Sequence, residues 1–362
     1  MLYKITKGRV GTAMICQLLH VSVLLISLGS GSSAAGWTLE KSISGNKLRM
    51  TAEKKNEPIY RIVSFLIVLF LTAGFCSAGA FAQSTGEEMQ NTESIQIETV
   101  KTDTFTMDYF KFGHGEKTFV ILPGLSVQSV MGSADAVADA YQLLTDDYTV
   151  YVFDRRKELP DHYTVHEIAQ DTAEAFLALG LDHIALFGAS QGGMIAMEIA
   201  VTHPELINKL VICSTTAHVT DEQYQGIEKW SNWAKKKDPK ELYMAFGETV
   251  YPSYVFDQYR EFLIDAASTV TDDEMDRFVI LAEGMKDFDV TGDIQKIACP
   301  VLVIGDNTDR VLGAGATIEI GEFLKDHSGF EMYLYDGYGH AVYDTAPDFK
   351  ERILCFLRQG SE

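Results

Sequence analysis

Hydrophobic and polar positions change period several times along the chain, and each change marks an element. Residues 95–100 and 105–112 alternate apolar with polar, the period of strands with one covered face, and Gly113-His114-Gly115-Glu116 supplies the turn to the next strand. Residues 118–122 and 148–153 are continuous apolar runs, as expected of strands buried on both faces. Pro123-Gly124-Leu125-Ser126 breaks the first run, and residues 134–144 read as a helix. Asp154-Arg155-Arg156-Lys157 closes the second run, and its charges are expected to form solvated ion pairs at a strand end.

A helical period follows. Thr164 with Glu167 three residues on forms a capping-box pattern, and Val165, Ala169, Ala173, Phe176 and Leu179 recur every three to four positions up to a stop at Gly180. Residues 184–187 are again apolar, run into Gly188-Ala189-Ser190-Gln191-Gly192-Gly193, and give way to a helical pattern. Residues 209–213 form another strand. This repeated alternation predicts a mainly parallel, doubly wound sheet covered on both faces. It stops over residues 218–297, which read as several helices rich in aromatics: Trp230, Trp233, Tyr243, Phe246, Tyr251, Tyr254, Phe256, Tyr259 and Phe262. This segment is expected to be a helical insertion over the sheet, most of its aromatics forming its own core. Strand, helix, strand and helix resume over 300–304, 316–324, 331–335 and 348–357.

The stretch from Ile184 to Met197 carries the candidate chemistry. A serine at the apex of a tight strand-to-helix turn stands clear of the sheet, and only residues with little or no side chain fit at Gly188 and Gly192. The helix behind Ser190 aims its free N–H groups and the positive end of its dipole at an oxyanion formed by attack on a carbonyl. A serine hydroxyl needs a base to take its proton, and the base needs an acid to fix its tautomer. His340, in the glycine-bearing loop Tyr335-Asp336-Gly337-Tyr338-Gly339-His340, is the one of the 9 histidines that follows a strand in this way. For the acid, the run 301–304 ends in Gly305-Asp306-Asn307-Thr308-Asp309, so both Asp306 and Asp309 are candidates. Asp309 is chosen because it lies a turn beyond the strand, where a loop can carry it back to the imidazole, leaving Asp306 as a turn residue. The order Ser190, Asp309, His340 suits a triad mounted on successive strands.

These motifs resemble those of the α/β-hydrolase superfamily across residues 95–357: the elbow around Ser190, PVLVIGDNTDRV carrying Asp309, and GYGHAVYD carrying His340. The resemblance implies an eight-stranded sheet whose second strand is antiparallel, a helical cap after the sixth strand, and no cofactor. It also implies an oxyanion hole made by the N–H groups of Gln191 and Leu125. Two departures stand out: Pro123-Gly124 replaces the His-Gly of many members, and Asp309 lies four residues after Gly305 where many place the acid three after.

Charge narrows the partners. The chain of 362 residues has a formal net charge of −21, unevenly spread. Residues 1–82 hold nine Lys/Arg and three acids, so the remaining 21 basic and 48 acidic side chains leave residues 83–362 at −27. So acidic a body repels nucleic acid and anionic membrane surfaces, and a small ester-like molecule is the expected partner. The N-terminal part reads differently. From Met50, basic residues (Lys54, Lys55, Arg61), an uncharged run over 62–82 and an Ala80-Phe81-Ala82 site are laid out like a secretory signal peptide. Residues 50–82 are therefore expected to be a signal peptide or a retained membrane anchor, and 1–49 an extension from an over-long reading frame. Residues 83–217 and 298–362 would form the hydrolase core and 218–297 the cap. This layout places the body outside the cytoplasm, secreted or anchored; the alternative is cytoplasmic. Cys213, Cys299 and Cys355 are expected to be buried free thiols, with a Cys299–Cys355 bridge as the alternative, and no metal-ligand spacing appears among the cysteines.

A serine nucleophile argues against branches that need an aspartate there. The expected reaction is hydrolysis of a carboxylic ester through an acyl-enzyme, with acyl transfer, lactone hydrolysis or a non-catalytic binding role as alternatives.

Overall fold

The computed structural model describes residues 94–359. The expectations for residues 1–49 and 50–82 fall outside the described residues. Among the described residues no helix is long and apolar enough to cross a membrane.

Eight strands form one sheet: β1 (Ile97–Lys101), β2 (Thr106–Phe112), β3 (Lys117–Leu122), β4 (Tyr148–Arg156), β5 (Ile184–Ala189), β6 (Ile207–Cys213), β7 (Val301–Asp306) and β8 (Phe330–Tyr335). Their order is β1-β2-β4-β3-β5-β6-β7-β8. β2 is antiparallel to β1 and β4, and every other pair is parallel, as expected. The helices are α1 (Ala134–Ala140), α2 (Val165–Ala178), α3 (Gln191–Thr202), α4 (Asp221–Lys235), α5 (Pro239–Val250), α6 (Ser253–Ala267), α7 (Asp272–Glu283), α8 (Ala314–Leu324), α9 (Val342–Thr345) and α10 (Phe349–Arg358).

The two faces of the sheet are built by period-2 alternation. Phe119 and Ile121 of β3 pack with Ala134 of α1, with Tyr141 just beyond it, and with Phe349 and Ile353 of α10. Val120 and Leu122, one position over, pack with Ile168, Phe176 and Ile195 of α2 and α3. The capping box at α2 is formed, the Thr164 side chain accepting from the Glu167 N–H and the Glu167 carboxylate accepting from the Thr164 N–H.

The helix expected over 134–144 is shorter: α1 ends at Ala140, and residues 142–144 form a separate 3-10 turn beyond Tyr141. The expectation for Cys355 fails too, because it lies on the outer face of α10 and is exposed, while Cys213 and Cys299 are buried; all three are free.

The connection from β3 runs to one side of the sheet and that from β5 to the other. The crevice at the carboxyl ends of these neighbouring strands is thus a topological switch point, where open α/β sheets bind ligands. The four helices α4 to α7, between β6 and β7, reach the loops at this same end. Val165 N–H donates to Gly284 O at 3.1 Å, Ala341 N–H donates to Val250 O at 3.3 Å, and Arg310 donates to Tyr251 O at 2.8 Å.

Candidate active site

β5 ends in a turn with little room. A methyl added at Gly188 would lie 2.2 Å from Gly192 O, and one at Gly192 would lie 2.0 Å from Leu122 O. With both positions bare, the chain turns at Ser190, which takes φ 53° and ψ −121°, outside the range a serine ordinarily adopts. The turn is held by Ser190 N–H donating to Cys213 O at 2.9 Å and by the Thr215 hydroxyl donating to Ser190 O at 2.8 Å. Ser190 thus sits at the N-terminus of α3 in a conformation the surrounding backbone over-determines.

Ser190, His340 and Asp309 meet in a line. His340 Nε2 is 3.0 Å from Ser190 Oγ, and His340 Nδ1 is 2.9 Å from Asp309 Oδ2. All three are nearly out of solvent, at 8%, 3% and 9% relative exposure. Burial by itself would raise the Asp309 pKa. The His340 ring and the N–H groups of Val311 and Leu312, which donate to Oδ1 at 2.8 and 3.2 Å, outweigh it and hold the carboxyl below its usual range. An ionised carboxylate only accepts, so Nδ1 carries a proton and Nε2 is left to accept from the Ser190 hydroxyl.

The other acid candidate is engaged elsewhere. Asp306 is buried and accepts from Thr308 N–H at 2.7 Å through Oδ1 and from Tyr338 N–H at 2.9 Å through Oδ2. It ties the loop that carries Asp309 to the loop that carries His340, the turn role expected of it.

Leu125 and Gln191 lie on the two sides of the switch point. The loop after β3 passes close to the serine, a methyl at Gly124 lying only 3.2 Å from Ser190 Cβ. The Leu125 N–H makes no hydrogen bond among the described residues, and the Gln191 N–H is one of the free donors at the first turn of α3.

Of the four charges after residue 153, Lys157 forms the expected solvated pair, with Asp108 at 2.9 Å, and Arg156 pairs with Asp171 at 3.2 Å, while Asp154 and Arg155 depart from expectation. β4 continues to Arg156, and the strand period carries Arg155 to the same side as Phe153, at 5% exposure. Its Nη2 donates to Pro123 O at 2.8 Å, to Gly124 O at 3.4 Å and to Gln191 Oε1 at 2.7 Å. Burial pulls its pKa down to about 10, still charged at neutral pH. Asp154 pairs with Arg277 of α7 at 2.6 Å and accepts from the Ser129 hydroxyl. Burial would raise its pKa, but Arg277 and Arg155 hold it low. For Asp154 and Arg155 these are buried polar links, not solvated pairs. The available signal was parity: continuing the period of β4 by two residues turns Arg155 inward.

Among the described residues no three His, Cys, Asp or Glu side chains gather where they could hold a metal ion.

A sheet of this order and direction, with a strained serine at the β5 elbow and a helical excursion after β6, defines the α/β-hydrolase fold. The model of the alpha/beta hydrolase fold family matches residues 117–241. A putative carbamate hydrolase, RutD, of Rhizobium rhizogenes is 24% identical over 255 residues, 68% of this chain and 94% of that protein. The serine hydrolase BPHL of Mus musculus is 29% identical over 142 residues, 36% of this chain and 47% of that one. The crystal structure of MGS-M2, an alpha/beta hydrolase enzyme from a Medee basin deep-sea metagenome library, superposes with a TM-score of 0.65 at 20% identity. It covers 73% of this chain and 98% of that one. The family model, the hydrolase relatives and the solved structures all indicate the α/β-hydrolase superfamily.

Proposed function

We propose that the protein is a serine hydrolase that cleaves a carboxylic ester or a related acyl compound through Ser190, His340 and Asp309. The observation that carries this reading is the unbroken line from Ser190 Oγ to His340 Nε2 at 3.0 Å and from His340 Nδ1 to Asp309 at 2.9 Å. The likeness to named hydrolases supports hydrolytic chemistry on a small molecule.

In the reaction Ser190 Oγ bonds to the carbonyl carbon as its proton passes to His340 Nε2, and the carbonyl π pair becomes an oxyanion held by the N–H groups of Leu125 and Gln191. Asp309 stabilises the imidazolium without taking the proton. Collapse of the adduct expels the alcohol, which takes its proton from His340. Water then repeats the sequence on the acyl-enzyme, releasing the acid and restoring Ser190.

Hydrolysis of a chain-length series of p-nitrophenyl esters, with a carbamate and a lactone beside them, tests the reading against Ser190→Ala. Turnover by the wild type that falls at least about 10³-fold in the variant supports it. Equal turnover by both proteins, or no labelling of Ser190 by a fluorophosphonate, overturns it.

A further inference from the structure

The oxyanion hole proposed above joins two peptide groups from different parts of the chain, one after β3 and one after β5. The first turn of α3 sets the direction of the Gln191 N–H, whereas the Leu125 N–H lies in a loop outside any helix or strand. Between them lies a single buried cation. Arg155 Nη2 donates to the carbonyls of Pro123 and Gly124 and to the side chain of Gln191, three acceptors for one nitrogen with two hydrogens. Gly124 C=O and Leu125 N–H belong to the same peptide plane, so the guanidinium, held at 2.8 Å by the neighbouring Pro123 carbonyl and 3.4 Å from Gly124 O, bears on the direction of that N–H. It also draws charge along the amide, strengthening the N–H as a donor.

The Gln191 amide is oriented without ambiguity. Its Oε1 accepts from the guanidinium at 2.7 Å, and its Nε2 donates to Leu281 O of α7 at 2.8 Å; reversing the amide would set donor against donor and acceptor against acceptor. Gln191 is fully buried, so losing either partner would strand a polar group away from water. Resting on the serine-hydrolase reading, we infer that Arg155 is a positioning residue. It clamps the Gly124–Leu125 peptide and Gln191 in one frame, so that the two N–H groups converge on the oxyanion, and through Gln191 it ties that frame to α7.

Arg155→Met and Arg155→Lys test this, with Gln191→Leu as an independent break of the same frame that leaves its backbone N–H in place. Each is compared with the wild type in the full chain for kcat and KM on the best p-nitrophenyl ester and for the rate of fluorophosphonate labelling. The inhibition constant of a matched trifluoromethyl ketone, which forms a tetrahedral adduct on the serine, is measured alongside. The expected result for Arg155→Met is a fall of about 100-fold in kcat with KM within about 3-fold, and a matching loss of affinity for the ketone. Gln191→Leu moves in the same direction, and Arg155→Lys recovers part of the loss because it keeps a donor on the carbonyls. A structural role alone would lower the melting temperature without this match between kcat and the ketone.

The inference is overturned if folded Arg155→Met keeps kcat and labelling rate within about 3-fold of the wild type, or if kcat falls while ketone affinity does not. If Arg155→Met does not fold, Gln191→Leu with kcat and ketone affinity unchanged overturns it as well. Failure of the underlying reading looks different: the wild type itself is then not labelled at Ser190, and both statements fall together.

Discussion

Asp309 carries its charge where burial alone favours the neutral acid, and this gives the carboxylate a measurable effect on stability. Its pKa is depressed in the folded state, so it contributes stability above the unfolded value of about 4. That contribution is lost as pH falls from there through the lower folded pKa. The urea midpoint of Asp309→Asn is therefore expected to change less with pH between about 5 and 3 than that of the wild type. In activity the same substitution removes the acceptor that fixes the His340 tautomer, and kcat is expected to fall on the order of 10³–10⁴-fold. Asp306→Asn keeps one carbonyl acceptor for the loop and does not touch the imidazole, so steady-state rates for it should stay within about tenfold of the wild type. The reverse ranking would move the acid role to Asp306.

At the scale of elements, glycines at similar-looking positions differ in what surrounds them. Gly192 opens α3 against the backbone of β3, and Gly192→Ala would force its methyl to within 2.0 Å of Leu122 O and 2.6 Å of Pro123 O. Overpacking of this kind costs about 1–3 kcal/mol, and here the strain falls on the turn that holds Ser190, so activity should fall with stability. Gly226 lies inside α4 with open space around it, and Gly226→Ala should stabilise by about 0.5–1 kcal/mol through helix propensity. Thermal melts of the two variants should move in opposite directions. Two glycines that a composition count treats alike are thus separated by the backbone that crosses one and not the other.

At the scale of the molecule, α4 to α7 join the rest of the described chain at several places. The loops carrying Asp309 and His340 are reached from α4, α5 and the turn after α5, and the start of α2 from the residue after α7. On the side of the loop after β3, Arg277 pairs with Asp154 and Tyr243 donates to Gln128 at 3.2 Å. The Asp154–Arg277 pair is mostly withdrawn from water, with side chains 11% and 18% exposed, so Arg277→Ala leaves a buried carboxylate short of a partner. A loss of about 3 kcal/mol is expected from the urea midpoint, with new cleavage between α4 and α7 in native-state proteolysis. An unchanged midpoint would mean that Arg155 and Ser129 suffice for Asp154.

The strands, α2 with its capping box, and the elbow were legible because each rests on neighbours in sequence: a period of 2 or 3.6, a hydroxyl three residues before a carboxylate, small residues on either side of Ser190. The charge at the end of β4 departs from expectation for the same reason. A row of four charged residues looks solvated until it is known what lies across from it, and Arg155 meets Gln191 from 36 positions away. Sequence alone also singled out His340 and narrowed the acid candidates to two residues, since loop chemistry at a strand end is local. Tertiary structure brings Asp309 rather than Asp306 against the imidazole, because that depends on where a loop from β7 meets a loop from β8. It likewise decided which aromatics of the insertion are buried, as Trp230 is against Phe246, and which are exposed, as Tyr254 is. Local spacing encodes the conformation of a segment; the partner a side chain finds across the fold is set by packing of segments that the spacing leaves independent.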